Sequence, residues 1–169
     1  MKMNKIATAC LLMASAYGYA VDPVTLNITG NIVASPCQIS SDSVSKSVDL
    51  GQNIQASDLQ TAGQATTWTN FTINLTSCPA GTTTAIMTMH GTADTANPVD
   101  MYKNTGSAQN IAVQLQSQVA APLGDGKTIS GTIASNAYSY LLRARAYTQN
   151  GAVTPGTIAA VVTASIVYN

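Results

Sequence analysis

The chain has 169 residues, enough for one domain with a real core; 7 Lys and Arg stand against 7 acidic residues, and only 8% of positions are charged. No basic stripe exists in that balance, which argues against nucleic acid and anionic membrane surfaces as partners. An apolar content of 46% in regular alternation argues against disorder, and the abundance of Thr and Val favours strands over helices.

Residues 1–20 read as a secretory signal peptide. Lys2 and Lys5 form a basic start, Ile6 to Ala16 is a short apolar stretch, and Gly18 and Ala20 are the small residues before a cut. The mature chain is expected to begin at Val21, with a cut after Ala16 as the alternative. The apolar stretch is too short to span a bilayer, and Cys10 is expected to leave with the signal. Without Lys2 and Lys5, five basic residues face seven Asp, so the mature charge is about −2.

Val24 to Val33 alternates cleanly. Val24, Leu26, Ile28 and Ile32 share one face with Gly30, and Thr25, Asn27, Thr29 and Asn31 share the other, which predicts a strand with one buried face. Gly30 weakens a strand and offers nothing to pack, so it marks either a bulge or a close approach by another group. Ser35-Pro36 breaks the pattern. Val44 to Leu50 predicts a second short strand, closed by Gly51, and residues 52–68 read as a polar loop with the only Trp, Trp68. Phe71, Ile73 and Leu75 predict a strand running into a Pro79-Ala80-Gly81 turn, and Thr84 to His90 predicts another, ended by Gly91.

Residues 92–108 read as a long connection. A strand is predicted around Ile111, Val113 and Leu115, then a turn at Pro122 to Gly126 with Asp125-Gly126 as its strongest signal. Tyr138, Tyr140, Leu142, Ala144 and Ala146 alternate with Arg143 and Arg145, and Asn150-Gly151 reads as a hairpin-type turn. In the final stretch from Gly156, one face carries Ile158, Ala160, Val162, Ala164, Ile166 and Tyr168. The other carries Thr157, Ala159, Val161, Thr163, Ser165 and Val167, semi-apolar enough to predict burial on both sides. Seven or eight short strands with turns between them predict an antiparallel sandwich or barrel. The last strand is expected to lack a following segment to pair with, and an uncovered apolar edge is an aggregation hazard.

Catalysis finds no foothold. His90 is the only His and sits at a predicted strand end, the Asp residues fall mostly in or beside turns, and no nucleophile, phosphate or dinucleotide motif is present. The chain is therefore expected to be neither an enzyme nor a cofactor or metal protein. Cys37 and Cys78 are expected to pair in an oxidising compartment, for a gain of roughly 4 kcal/mol on the chain-entropy estimate.

Taken together, these features resemble the pilin subunits of chaperone–usher fimbriae. Gly156 stands fourteenth from the C-terminus and Tyr168 is penultimate, with alternating apolar residues between them. Cys37 and Cys78 have the pilin disulfide spacing, and Gly30 lies in the alternating arm shortly before the first Cys. Asn74 to Thr82, Tyr102 to Ile111 and Gly156-Thr157-Ile158 are similar to the small adaptor subunits near the tip of type 1 fimbriae. The resemblance implies an all-β, incomplete immunoglobulin-like antiparallel sandwich that lacks its last strand and is completed by donor-strand complementation.

It also implies an organisation of signal peptide (1–20), donor arm (21–34) and pilin domain (35–169). Val24, Leu26, Ile28, Gly30 and Ile32 would enter a neighbour's groove. Gly156, Ile158, Ala160, Val162, Ala164, Ile166 and Tyr168 would border this chain's own groove. The implied partners are a periplasmic chaperone, the outer-membrane usher and neighbouring subunits, with export to the cell-surface fimbria and no membrane insertion. Three alternatives accompany this reading: a major shaft pilin, a single-domain sugar-binding adhesin, or a complete sandwich in which the arm pairs within its own chain.

Overall fold

The computed structural model describes residues 24–97 and 99–169, so the signal-peptide reading, the first positions of the arm and Pro98 lie outside the described residues. The chain forms two compact units that meet in sequence between Asn31 and Ile32. Within the first, no strand is present over residues 24–31, and Val24, Leu26 and Ile28 are exposed. Ile32 and Val33, at the start of the second, are exposed as well. The predicted strand over 24–33, with its buried face, is thus absent: the alternation is there without a ladder to support it.

The regular structure of the second unit is nearly all β. A five-stranded sheet has the order β1-β2-β7-β5-β4 and a three-stranded sheet the order β6-β3-β8, with every pairing antiparallel. In the larger sheet, β1 (Gln38–Ile39), β2 (Thr69–Thr76), β7 (Tyr138–Tyr147), β5 (Ala112–Ser117) and β4 (Met101–Lys103) lie side by side. In the smaller one, β3 (Thr84–Gly91) is flanked by β6 (Thr128–Thr132) and β8 (Val162–Tyr168).

Period-two alternation decides what lies between the sheets. Leu75, Leu115, Tyr140, Leu142 and Ala144 point inward from the larger sheet and meet Ala85, Met87 and Met89 from the smaller. A second cluster of Leu59, Ala108, Ile111, Ala146 and Val153 sits under the loops at one end. The disulfide Cys37–Cys78 ties the residue before β1 to the segment after β2, closing a separation of 41 residues.

Several expectations need correction. Val44 to Leu50 is no strand: a single helical turn, α1 (Ser41–Val44), precedes an irregular segment. Val48 and Leu50 still pack on the core while Asp49 is exposed, so the side-chain alternation survives without hydrogen-bonded neighbours. The long connection of 92–108 contains β4, whose three residues are too few to show a period. β6 also went unpredicted, since Thr-Ile-Ser-Gly-Thr carries one apolar side chain.

Asn150-Gly151 turns the chain but closes no hairpin, because β7 and β8 lie in different sheets. Gly151 adopts φ +74°, and a Cβ there would collide with the Gln60 carbonyl, so the turn requires glycine at this position. The outer face of the last strand is not buried either, since Val161, Thr163, Ser165 and Val167 are all exposed. Asp100 lies in the turn before β4, as expected of an Asp, but it is buried and accepts hydrogen bonds from Gln114 (2.7 Å) and Gln116 (2.6 Å).

Candidate functional site

Beside β8 lies an open apolar groove. The register fixes why that edge is unfilled. Asn169 and Thr84 exchange both backbone hydrogen bonds (2.9 Å each), and the ladder continues through Val167↔Ile86, Ser165↔Thr88 and Thr163↔His90. In an antiparallel pair, alternate residues turn their N–H and C=O toward the partner and the others turn them away. Odd-numbered residues of β8 therefore bond to β3, and Val162, Ala164, Ile166 and Tyr168 aim their backbone groups at the opposite edge, where β8 has no strand among the described residues.

The groove encloses about 1140 Å³. One wall is Gly156, Ile158, Ala160, Val162, Ala164 and Ile166; the other is the strandless segment that carries Val44, Val48, Leu50 and Ile54. Phe71 and Ile73 of β2, with Leu115 and Leu142, form the floor. Tyr168 does not line the groove; it packs against the core beyond its end, where burial raises its pKa. Val44, Val48, Leu50, Ile54 and the floor residues were not singled out as site residues, because a groove between two sheets cannot be read from one strand's period.

The groove's rim carries Asp49, whose pKa is lowered by the Gly51 N–H (2.9 Å) and the Gln52 amide (2.8 Å). Asp42 is lowered by the Ser40 hydroxyl and by Lys46 (2.9 Å), its partner in an exposed ion pair. Both carboxylates find their partners within four residues along the chain. His90 is exposed, with its ring nitrogen 3.1 Å from the Ser165 hydroxyl on the outer face. Trp68, Arg143 and Arg145 form a separate group at the larger sheet. The two guanidinium carbons lie 4.3 and 4.2 Å from the indole, and Gln116 and Gln114 anchor the guanidinium groups to Asp100.

Among the described residues, no group of three His, Cys, Asp or Glu is placed to hold a metal ion, and no helix is long and apolar enough to cross a membrane. Two of the segments that carried the resemblance to adaptor subunits meet in space: Asn104 to Ala108 packs on Gly156 to Ala159 beside the groove.

Comparison with known proteins agrees with this geometry. The sequence profile described as "Fimbrial protein" matches residues 26–169. Protein FimG of Escherichia coli K12 is 36% identical, with 99% of this chain and 98% of that protein covered. Among solved structures, the P pilus rod subunit PapA superposes with a TM-score of 0.68 at 23% identity, over 80% of this chain and 100% of PapA. A subunit from the structure of a chaperone–usher pilus superposes with a TM-score of 0.67 at 24% identity, over 92% of this chain and 100% of its own. The two structural matches bear on the fold, which is that of pilins.

Proposed function

The chain belongs to the fimbrial protein family and is a structural subunit of a chaperone–usher fimbria, exported to the cell surface; from that premise we propose that the groove beside β8 is its strand-accepting site and residues 21–34 its donor arm. The observation that carries the proposal is the coincidence of a free backbone edge with a lined apolar trough. An added strand bonds to the even-numbered residues of β8 and inserts alternate side chains between the sheets. The periodic arm supplies the matching shape: Val24, Leu26, Ile28, Gly30 and Ile32 fall on one face, and their apolar members are exposed.

Register follows from the same alternation. A one-residue slip turns every apolar arm residue outward, so only one phase is productive. Burial of Val24, Leu26, Ile28 and Ile32 in a neighbour contributes roughly 6–12 kcal/mol gross, before ordering costs. Gly30 adds no burial and leaves room for a bulky residue of the neighbour's groove. The chaperone fills the groove until the usher presents the next subunit. Similarity to FimG supports a place among the minor subunits near the tip, in preference to the shaft.

The test is assembly by a chain lacking residues 24–33. Such a subunit is expected to be exported, to bind its chaperone through the intact groove, and to be absent from the interior of fibres because it has no arm to donate. Normal incorporation of the armless chain into fibre interiors, seen by immuno-electron microscopy, contradicts the proposal.

A further inference from the structure

The donor arm is longer than the strand it is proposed to pair with. At about 3.3 Å per residue, Val24 to Ile32 spans roughly 26 Å, whereas β8 from Val162 to Tyr168 offers about 20 Å of edge. Extending the edge back to Ile158 lengthens it to about 33 Å. Residues 156–161, however, have no strand beside them, because β3 stops at Gly91, the partner of Val162.

A loop takes the place of that missing strand. The Thr105 N–H donates to the Ala159 carbonyl (2.8 Å) and the Ala108 N–H to the Thr157 carbonyl (3.1 Å). The Ala159 N–H donates to the Asn104 side-chain oxygen (2.8 Å), and the Thr157 N–H to the Ser107 hydroxyl (2.9 Å). Asn104 also accepts from the Gly106 N–H (2.9 Å) and donates to the Ala108 carbonyl (2.8 Å), which locks the loop's own shape. All four backbone groups of Thr157 and Ala159 are thus engaged by residues 104–108. This is the same odd-numbered set that bonds to β3 farther along, so the phase is unbroken from Thr157 to Asn169.

Two glycines make the approach possible. A Cβ on Gly106 would collide with the Thr157 carbonyl, and one on Gly156 with the backbone of Ala108. Behind this clamp, Ile158 packs against the second apolar cluster, which contains Ala108 and Ile111.

We infer that the loop Asn104–Ala108 is a positioning element that stands in for a strand past the end of β3 and holds Ile158 and Ala160 as the last two docking positions of the accepting edge. With 157 and 159 turned toward the loop, the backbone groups of 158 and 160 face the groove in phase with those of 162 to 168. Asn104 is its keystone, and it acts through Thr157 and Ala159 without touching the incoming strand. This inference rests on the strand-accepting reading of the groove.

The experiment uses the full subunit held by its periplasmic chaperone and three synthetic peptides: residues 23–33, 23–29 and 27–33. Capture is followed as release of the chaperone. For Asn104→Ala, capture of the 23–33 peptide is expected to slow by about tenfold or more, the equivalent of one or two net hydrogen bonds. The shortened peptide that does not reach Ile158 and Ala160 is expected to be captured at the same rate by wild type and variant. Hydrogen exchange on the variant is expected to show lost protection at the Thr105 and Ala159 amides with the β3–β8 amides unchanged. Equal slowing of all three peptides, or no slowing of any, overturns the clamp while leaving the strand-accepting groove intact. Failure of the wild-type subunit to capture any peptide overturns both readings. If Asn104→Ala exposes the β3–β8 amides as well, Ser107→Ala, which removes the donor-acceptor pair with Thr157, is put through the same three peptides and judged by the same outcomes.

Discussion

The hydroxyl of Tyr140 in β7 donates to the carbonyl of Ala85 in β3 across 2.8 Å, in a fully buried position. It is a polar tie through an apolar core, joining the two sheets at a point where each also packs Leu or Met side chains. A sandwich with an open groove has fewer side chains spanning its two layers, so such a tie matters to the spacing between them. Tyr140→Phe keeps the ring and removes only the donor. A loss of about 1–3 kcal/mol is expected, the range for a buried hydrogen bond whose acceptor is left behind, read as a lower urea midpoint at unchanged slope. An unchanged midpoint shows that the tie is energetically idle.

Alkaline pH tests the same two-sheet packing. Burial, with a smaller contribution from Asp125, pushes the Tyr102 hydroxyl up to about 12, and burial followed by the neighbouring Tyr138 and Tyr168 pushes Tyr140 up as well. Tyrosine in the unfolded chain titrates near 10. A folded pKa above the unfolded one means that the unfolded state loses its proton first. The contribution is therefore whole below about pH 10 and is lost as pH rises toward 12. Stability should fall steeply across that window and be flat just below it, and Tyr102→Phe should flatten part of the fall. A urea midpoint constant from pH 9 to pH 12 contradicts this account.

Gly131 in β6 lies beneath the ring of Tyr138, which itself meets Tyr140 edge to face at 4.8 Å. A Cβ at position 131 would collide with that ring, so Gly131→Ala must move Tyr138 and disturb the pair. A loss of about 1–3 kcal/mol is expected for overpacking of this kind, accompanied by a changed tyrosine near-ultraviolet signal. Retained stability with an unaltered signal would show that Tyr138 has somewhere else to go.

How much of this was legible in the chain follows from where its alternation met a partner. β2, β3, β5, β7 and β8 each bury one set of side chains between sheets, and their period-two pattern locates them. Val24 to Val33 and Val44 to Leu50 show the same pattern and form no strand. Alternation records which face is apolar, while a strand also needs a neighbour for its backbone. Both failures fall on segments assigned to donor-strand pairing, the arm and the groove's far wall. β4 and β6 were hidden for the opposite reason: short or polar, they are recruited by their neighbours, β4 by β5 and β6 by β3. The apolar face of the last strand was readable residue by residue, but the loop that steadies its start was not, since Asn104 meets Ala159 from a separation of 55 residues.

The most direct measurement of the central claim is urea unfolding of residues 34–169, refolded with the Cys37–Cys78 bond intact, with and without a peptide spanning Pro23 to Val33. A groove awaiting an outside strand predicts a truncated domain that is weak or aggregates alone and is stabilised by several kcal/mol when the peptide is present. A truncated domain that is already stable and indifferent to the peptide would contradict the account, because the sandwich would then be complete without a donated strand.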